Sequence, residues 1–232
     1  MLQAIVLAGG YGKRLRNILP NIPKPMAPIA GKPFLEILLM HLSKKGFKKV
    51  VISLGYQAHK IKSYFGNKYL NLNISYVLED KPLGTGGATR LALNEFTQDP
   101  VYVFNGDTFV NFKISEIQMK WQKFKETIIL AKEVKDTSRY GRLITNGDLV
   151  IGFSEKKNNS KGLINCGCYV FSKSELDSFS LMEPFSLETE YLSKFVTQRN
   201  FRFIITKGQF IDIGVPESYK KAQSELLTAV KK

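Results

Sequence analysis

The sequence predicts an α/β fold around a mostly parallel sheet, and three observations carry that expectation. The apolar run Ala4-Ile5-Val6-Leu7-Ala8 breaks into Gly9-Gly10-Tyr11-Gly12-Lys13-Arg14-Leu15, the layout of a buried strand, a tight loop and a helix start. Leu35, Leu38, Leu39 and Leu42 recur at helical spacing before a second apolar run, Val50 to Leu54, as a βαβ crossover requires. A second small-residue loop, Gly84-Thr85-Gly86-Gly87, follows the third strand-like run. Two such loops on one sheet can line one crevice beyond the carboxyl ends of the strands.

The first loop is a phosphate cradle in composition, because glycines let successive backbone N–H groups approach an anion and Lys13 and Arg14 add mobile positive charge. It is not a Walker A loop, since Gly12-Lys13 is followed by Arg14 and Leu7 stands where the first glycine belongs. It supplies only two of the three glycines of the dinucleotide fingerprint, Leu15 taking the place of the third. An ordinary glycine-rich strand-to-helix turn has the same pattern.

With 232 residues, 44% of them hydrophobic, the chain is expected to form a single domain over 1–232 with a substantial core. No apolar run approaches the ~20 residues of a membrane span and no basic-then-apolar leader precedes the first strand, so the expected location is the cytoplasm. Cys166 and Cys168 lie two apart in a strand-like run, which places a disulfide poorly and predicts two buried small apolar residues. The net charge of +14 comes from 34 basic and 20 acidic residues spread in short pieces without aromatic interleaving. That pattern argues against nucleic acid and for solvated surfaces plus attraction of a polyanionic small substrate.

In chain order, Pro20-Asn21-Ile22-Pro23-Lys24-Pro25 predicts a fixed extended path that holds Lys24 rigidly, as suits a lysine that must meet a phosphate from one direction. A solvated loop lysine is the other reading. Helix is expected from Phe34 to Gly46, strand over Val50–Leu54, helix from Gln57 to Phe65, and strand over Ile74–Leu78. His41 and His59 fall in the two helices and read as helix-surface residues. The second glycine loop leads to a helix over Thr89–Phe96, and a fourth strand, Val101–Phe104, runs into Asn105-Gly106-Asp107-Thr108. An aspartate there is either a ready Mg²⁺ ligand or an Asx turn former.

The second half is less regular. A helix over Ile114–Phe124 carries Trp121 as a packing residue. Strands are expected at Thr127–Lys132, Leu149–Ser154 and Leu163–Phe171. Arg139-Tyr140-Gly141 is a polar loop whose glycine permits close approach, and Glu155 and Lys156 share a face only if their strand ends or bulges there. Asn165 and Gly167 share one face of their strand. A helix over Ser186–Val196, a strand over Phe201–Thr206, a short strand Phe210–Gly214 and a closing helix Pro216–Val230 complete the chain.

Leu7-Ala8-Gly9-Gly10-x-Gly12-x-Arg14-Leu15, Pro23-Lys24-Pro25-Met26, Pro82-Leu83-Gly84-Thr85-Gly86-Gly87, Asn105-Gly106-Asp107 and Ile211-Asp212-Ile213-Gly214 together resemble the sugar-1-phosphate nucleotidyltransferase family over nearly the whole chain. Within it, the short length, the run from Pro23 to Pro33 and the Phe210–Glu217 segment are most similar to the branch that uses heptose 1-phosphate and GTP. The resemblance implies a Rossmann-like three-layer sandwich, the nucleotide-diphospho-sugar transferase fold. It also implies transfer of a nucleotidyl group from an NTP to a sugar 1-phosphate with Mg²⁺, by an enzyme that binds neither nucleic acid nor membrane and is open to homo-oligomer formation. A uridylyl- or thymidylyltransferase for another hexose 1-phosphate and a non-catalytic nucleotide-binding regulator are the other readings.

Residue by residue, the resemblance implies that Leu7, Ala8, Gly9, Gly10, Gly12, Lys13, Arg14, Glu79, Gly84, Thr85, Gly86 and Gly106 bind the nucleotide. Asn105, Gly141, Glu155, Lys156, Asn165 and Gly167 then bind the sugar phosphate, Asp107 and Asp212 the Mg²⁺, and Arg14, Lys24, Asp107 and Lys156 carry catalysis. Glu79 adds an expectation about the base. One carboxylate can accept the adjacent N–H and NH₂ of guanine together, whereas uracil and thymine flank their one N–H with carbonyl oxygens. The same carboxylate would also serve a ribose hydroxyl or a loop N–H.

Overall fold

The computed structural model describes residues 1–15, 18–154 and 160–226. The chain runs from β1 (Leu2–Leu7) through a 3₁₀ turn (Lys13–Leu15), a second 3₁₀ turn (Lys24–Met26), β2 (Pro28–Ile29) and β3 (Lys32–Pro33) to α1 (Phe34–Lys44). It continues with β4 (Phe47–Leu54), α2 (Ala58–Phe65), β5 (Lys68–Tyr69), β6 (Leu72–Leu78), α3 (Gly84–Leu93), β7 (Val101–Asn105) and β8 (Thr108–Val110). The rest comprises α4 (Ile114–Phe124), β9 (Ile128–Val134), β10 (Arg142–Asn146), β11 (Leu149–Ser154) and β12 (Gly162–Phe171). A π-helical turn (Leu187–Leu192) leads into α5 (Ser193–Phe195), and β13 (Phe201–Ile205), β14 (Phe210–Asp212) and α6 (Pro216–Glu225) follow.

Ten strands form one sheet in the order β10-β11-β13-β9-β12-β7-β1-β4-β6-β5. Strands β6, β4, β1 and β7 are parallel, and β12 lies antiparallel between β7 and β9. Alternation along β1 feeds two cores. Ala4, Val6 and Ala8 point to the face covered by Leu35, Leu38 and Leu42 of α1, Ile61 of α2 and Trp121 of α4, while Ile5 points to the face covered by Leu93 of α3 and Tyr191. The result is the three-layer sandwich that the sequence implied. A smaller core at the β14–β8 ribbon joins Phe109, Ile211 and Ile213 to Phe34, Ile37 and Tyr219. Among the described residues no helix is long and apolar enough to cross a membrane.

Several local expectations need correction. The segment around Lys24 is a 3₁₀ turn, closed by Met26 N–H to Pro23 O (2.7 Å) and Ala27 N–H to Lys24 O (3.0 Å). Pro25 fits because the first turn of a helix asks no N–H of it. The second glycine stretch is itself the first turn of α3, which starts five residues before Thr89. His41 is not a surface residue: its Nε2 is buried and its ring packs 4.8 Å from that of Phe109 and 5.6 Å from that of Phe112. Leu187–Leu192 winds as a π-helix, capped by the Ser186 hydroxyl, which accepts from the N–H groups of Glu188 and Thr189. Cys166 and Cys168 are free and buried, as expected; burial pushes the Cys166 thiol up to about 12 and Cys168 well above its ordinary value.

Candidate active site

The chain leaves β1 toward β4 and β6 on one side and returns to β7 on the other, so the β1–β7 gap is the topological switch point of the sheet. A cleft of about 370 Å³ opens there. Its walls include Leu7, Ala8, Gly9, Gly10, Gly12 and Arg14 from the first loop, and Glu79, Gly84 and Thr85 after β6. Asn105 at the end of β7 and Gly106 and Asp107 beyond that strand, together with Lys24 and Gly214, close the cleft. The loops are laced to one another: Ala8 N–H donates to Ser53 O (2.9 Å), Gly106 N–H to Leu7 O (2.8 Å) and Tyr56 N–H to Gly9 O (3.3 Å). Gly12 takes a φ of +60°, which a Cβ disfavours, and a Cβ there would also come within 2.9 Å of Lys24 Cβ.

Two carboxylates meet where Asp107 lines the cleft. Asp212 ends β14, which pairs with β8 immediately after Asp107, and Ile213 N–H donates to Asp107 O (3.0 Å). Asp107 forms an ion pair with Lys24, whose side chain is only 10% exposed. Asp212 is the more buried of the two acids, 23% exposed against 34%. Burial raises its carboxyl above the ordinary range and the charge of Asp107 raises it further, while Lys24, the Gly214 N–H and Arg139 pull the other way. Gly214 N–H donates to Asp212 Oδ1 at 2.6 Å. Among the described residues no group of three or more His, Cys, Asp or Glu that could hold a metal ion forms.

Strand β12, which neighbours β7, is built differently. Strand β12 changes register against β9 between Asn165 and Tyr169, with Gly167 at φ +64°. This bulge lets Asn165 Oδ1 accept Gly167 N–H (2.9 Å) and brings Asn105 against Gly167, where a Cβ would lie 2.4 Å from Asn105 Nδ2. Asn165 Nδ2 donates to Tyr169 Oη (2.9 Å), Tyr169 Oη to Glu188 Oε1 (3.1 Å), and Thr85 Oγ1 to Glu188 Oε2 (2.8 Å). One carboxylate thus joins β12 to α3. Gly141 sits beside Asn165, whose N–H donates to Gly141 O (3.0 Å). Glu155, Lys156 and the side chain of Lys13 lie outside the described residues.

Residues 3–229 match the family described as nucleotidyl transferase. The chain belongs to the nucleotidyl transferase family. It is 43% identical over 226 residues to D-glycero-alpha-D-manno-heptose 1-phosphate guanylyltransferase of Aneurinibacillus thermoaerophilus, covering 97% of this chain and 98% of that protein. A protein of the same name from Campylobacter jejuni is 42% identical over 219 residues, with 94% and 97% covered. The crystal structure of HddC from Yersinia pseudotuberculosis superposes with a TM-score of 0.87 at 35% identity, covering 97% of this chain and 100% of that one. HddC complexed with GMP-PN superposes with a TM-score of 0.86.

Of the described residues that the motifs nominated, those of the first loop, Lys24, Glu79, Gly84, Thr85, Asn105, Gly106 and Asp107 line the cleft, whereas Gly86, Gly141, Asn165, Gly167 and Asp212 do not. Gly86 is turned from the cleft: its N–H donates to Phe185 O (2.9 Å) and a Cβ on it would lie 2.2 Å from the Phe185 ring. It serves close packing of α3, and Gly84 and Thr85 face the cleft in its place. Glu79 is held on both oxygens, by the Ser53 hydroxyl (2.8 Å) and the Leu83 N–H (3.1 Å), so the loop partner that its carboxylate could serve is present. Glu188 is absent from the sequence reading, which named Arg139 only as part of the polar loop with Gly141. Of the partners of the Glu188 carboxylate only the Ser186 hydroxyl (3.1 Å) is local, while Thr85 and Tyr169 lie 103 and 19 residues away. Arg139 could have been found from its place two residues before Gly141.

Proposed function

We propose that the chain transfers the guanylyl group of GTP to D-glycero-α-D-manno-heptose 1-phosphate, giving GDP-heptose and pyrophosphate. The observation that carries this is identity of 43% and 42% running through nearly the whole of two proteins named for that sugar phosphate and guanylyl transfer, in both directions of coverage. We read the parallel half of the sheet and the mixed half as the nucleotide and acceptor sides of one domain.

An oxygen of the acceptor phosphate attacks the α-phosphorus, the bond from that phosphorus to the bridging oxygen breaks, and pyrophosphate leaves with the electron pair. The acceptor is already ionised near neutral pH, so neither a nucleophilic side chain nor a strong general base is required. The chain's part is positioning and charge. The N–H groups around Gly9, Gly10 and Gly12 and the side chain of Arg14 hold the triphosphate, Arg14 opposing the charge that grows on pyrophosphate. Lys24 supports the α-phosphate. Asp107 and Asp212 fit a hard divalent cation: they are two neighbouring carboxylates, one raised by burial and by the other's charge, with Lys24 as resident countercharge. Mg²⁺ held by them would neutralise and align the phosphates. The acceptor side has an unmet acceptor of its own, since Asn105 Oδ1 is buried without a partner beside Gly167. Asn105, Gly141, Asn165 and Gly167, with Glu155 and Lys156, are proposed to take the sugar phosphate.

Each Glu79 oxygen keeps a second acceptor direction besides its bond to Ser53 or Leu83, so anchoring the loop and reading guanine are compatible. A panel of four NTPs against several sugar 1-phosphates with Mg²⁺, followed by pyrophosphate release, tests the proposal. GTP with the heptose 1-phosphate should give the highest kcat/KM, and a preference for UTP or dTTP would overturn it. In Glu79→Gln, GTP should lose about tenfold against UTP if the carboxylate reads the base. An unchanged ratio leaves Glu79 as a loop anchor alone.

A further inference from the structure

The two carboxylates face different cations. Lys24 bonds Asp107 directly from a nearly buried position. Arg139 is 40% exposed and stands 3.8 Å from Asp212 Oδ2, beyond hydrogen-bond range. Its bond to Ser218 Oγ is also long, at 3.4 Å. Among the described residues, then, the guanidinium approaches Asp212, the neighbour of the cleft residue Asp107, with its donors poorly spent. Its base is nonetheless well held. The guanidinium lies 5.5 Å from the Tyr140 ring, that ring meets Phe210 edge-on at 5.5 Å, and Tyr140 N–H donates to Thr137 O (3.0 Å). The same loop accepts Asn165 N–H at Gly141 O, so Arg139 hangs from the wall that carries the acceptor-side residues.

A sugar 1-phosphate brings a charge of about −1.5 to −2 toward two carboxylates, more than one cation such as Lys156 offsets. Resting on the guanylyltransferase reading above, we propose that Arg139 is a binding residue for the acceptor phosphate. On loading, its planar fork exchanges the long approach to Asp212 for paired N–H···O bonds to phosphate oxygens, and Asp212 is released to the metal-binding pair. Arg14 and Lys24 serve the nucleotide, and Arg139 answers them from across the cleft.

Arg139→Met should raise KM for the sugar phosphate about tenfold or more while KM for the NTP stays within about twofold, and Arg139→Lys should recover part of the loss. A sugar-independent measurement accompanies it: methyl phosphate titrated against the protein with Mg²⁺ and a non-hydrolysable GTP analogue, read by ³¹P line broadening, should bind the Met variant more weakly by a similar factor. Wild-type protein silent on GTP and heptose 1-phosphate, with methyl phosphate affinity still lost in Arg139→Met, would sink the substrate reading and keep this one. Unchanged sugar-phosphate KM and unchanged methyl phosphate affinity in both variants, or equal losses for NTP and acceptor, would overturn the role of Arg139.

Discussion

The two sides of the cleft are assembled by different means. On the side proposed for the nucleotide, β1, β4, β6 and β7 run parallel and end at one edge, so the segments that follow each strand meet there because the sheet delivers them. On the side proposed for the acceptor, β12 runs antiparallel to both its neighbours and is bulged, and the residues are brought together by side chains: Asn165 to Tyr169 to Glu188 to Thr85. Backbone topology tolerates many side chains at a given strand end. A hydrogen-bonded chain of four specific residues does not, because removing any member leaves a buried polar group unpaired. Mutations on the nucleotide side should therefore strike the rate with little cost to the fold, and those toward the seam with the acceptor side should strike the fold first.

The largest effect expected of this contrast is at Arg14. Its side chain is exposed on the cleft wall, so removing it costs the native state little. If it stabilises departing pyrophosphate, Arg14→Ala loses about 3 kcal/mol of transition-state stabilisation, on the order of a hundredfold in kcat. Pyrophosphate release at saturating NTP and a urea melt, measured on one preparation, separate the two quantities. A near-parental rate, or a melt displaced by more than about 1 kcal/mol, would dissolve the distinction between the sides.

Legibility follows the same divide. The strand-to-glycine transition at Leu7–Gly12 and the acid after β7 could be read directly, because a parallel strand end and its loop are contiguous in sequence. The pairing of Asp107 with Asp212 was implied by family motifs and not by spacing, since the β8–β14 ribbon that joins them is only three residues long on each strand. Thr85–Glu188 and the approach of Arg139 to Asp212 were invisible, because nothing local marks a partner so distant in the chain. The stretch Gly84–Gly87 misled for another reason. Small residues permit both a loop and a helix packed at short range, and only the segment ending in Phe185 decides between them.

That segment gives the next largest effect, at the seam between the sides. Glycine inside a helix ordinarily costs up to ~1 kcal/mol against alanine, so Gly86→Ala on propensity alone would stabilise α3. The packing reverses the sign. A Cβ would stand 2.2 Å from atoms of the Phe185 ring, and that ring cannot swing freely because it stacks on Phe179 with centroids 4.1 Å apart. Overpacking of this kind costs roughly 1–3 kcal/mol, so the net loss should be about 1–2 kcal/mol. Urea unfolding measures it, and a stabilised variant would show that Phe185 yields and the seam is soft.

The smallest effect is a matter of pH, and it concerns a half-buried residue where α1 meets the stretch leading from β8 to α4. Burial of the His41 ring, with the positive charge of Lys45 nearby, lowers its pKa from 6.5 to about 4. The neutral imidazole is therefore the form that the fold accepts. Between pH 6.5 and about 4 the unfolded chain has taken up the proton and the native protein has not, so the unfolded state binds more protons and stability falls as the pH drops. The decline is at most about 1.4 kcal/mol per pH unit, is absent above 6.5 and levels off once the native imidazole is also charged. Other groups titrate in the same window, so the quantity to measure is a difference: unfolding free energies of the parent and of His41→Gln at pH 7, 6 and 5. The parent should lose more stability than the variant over that range, most of it between pH 6 and 5. Parallel profiles would mean that the ring between Phe109 and Phe112 admits water, and that the nucleotide side is less tightly closed beneath its helices than its strand ends are above.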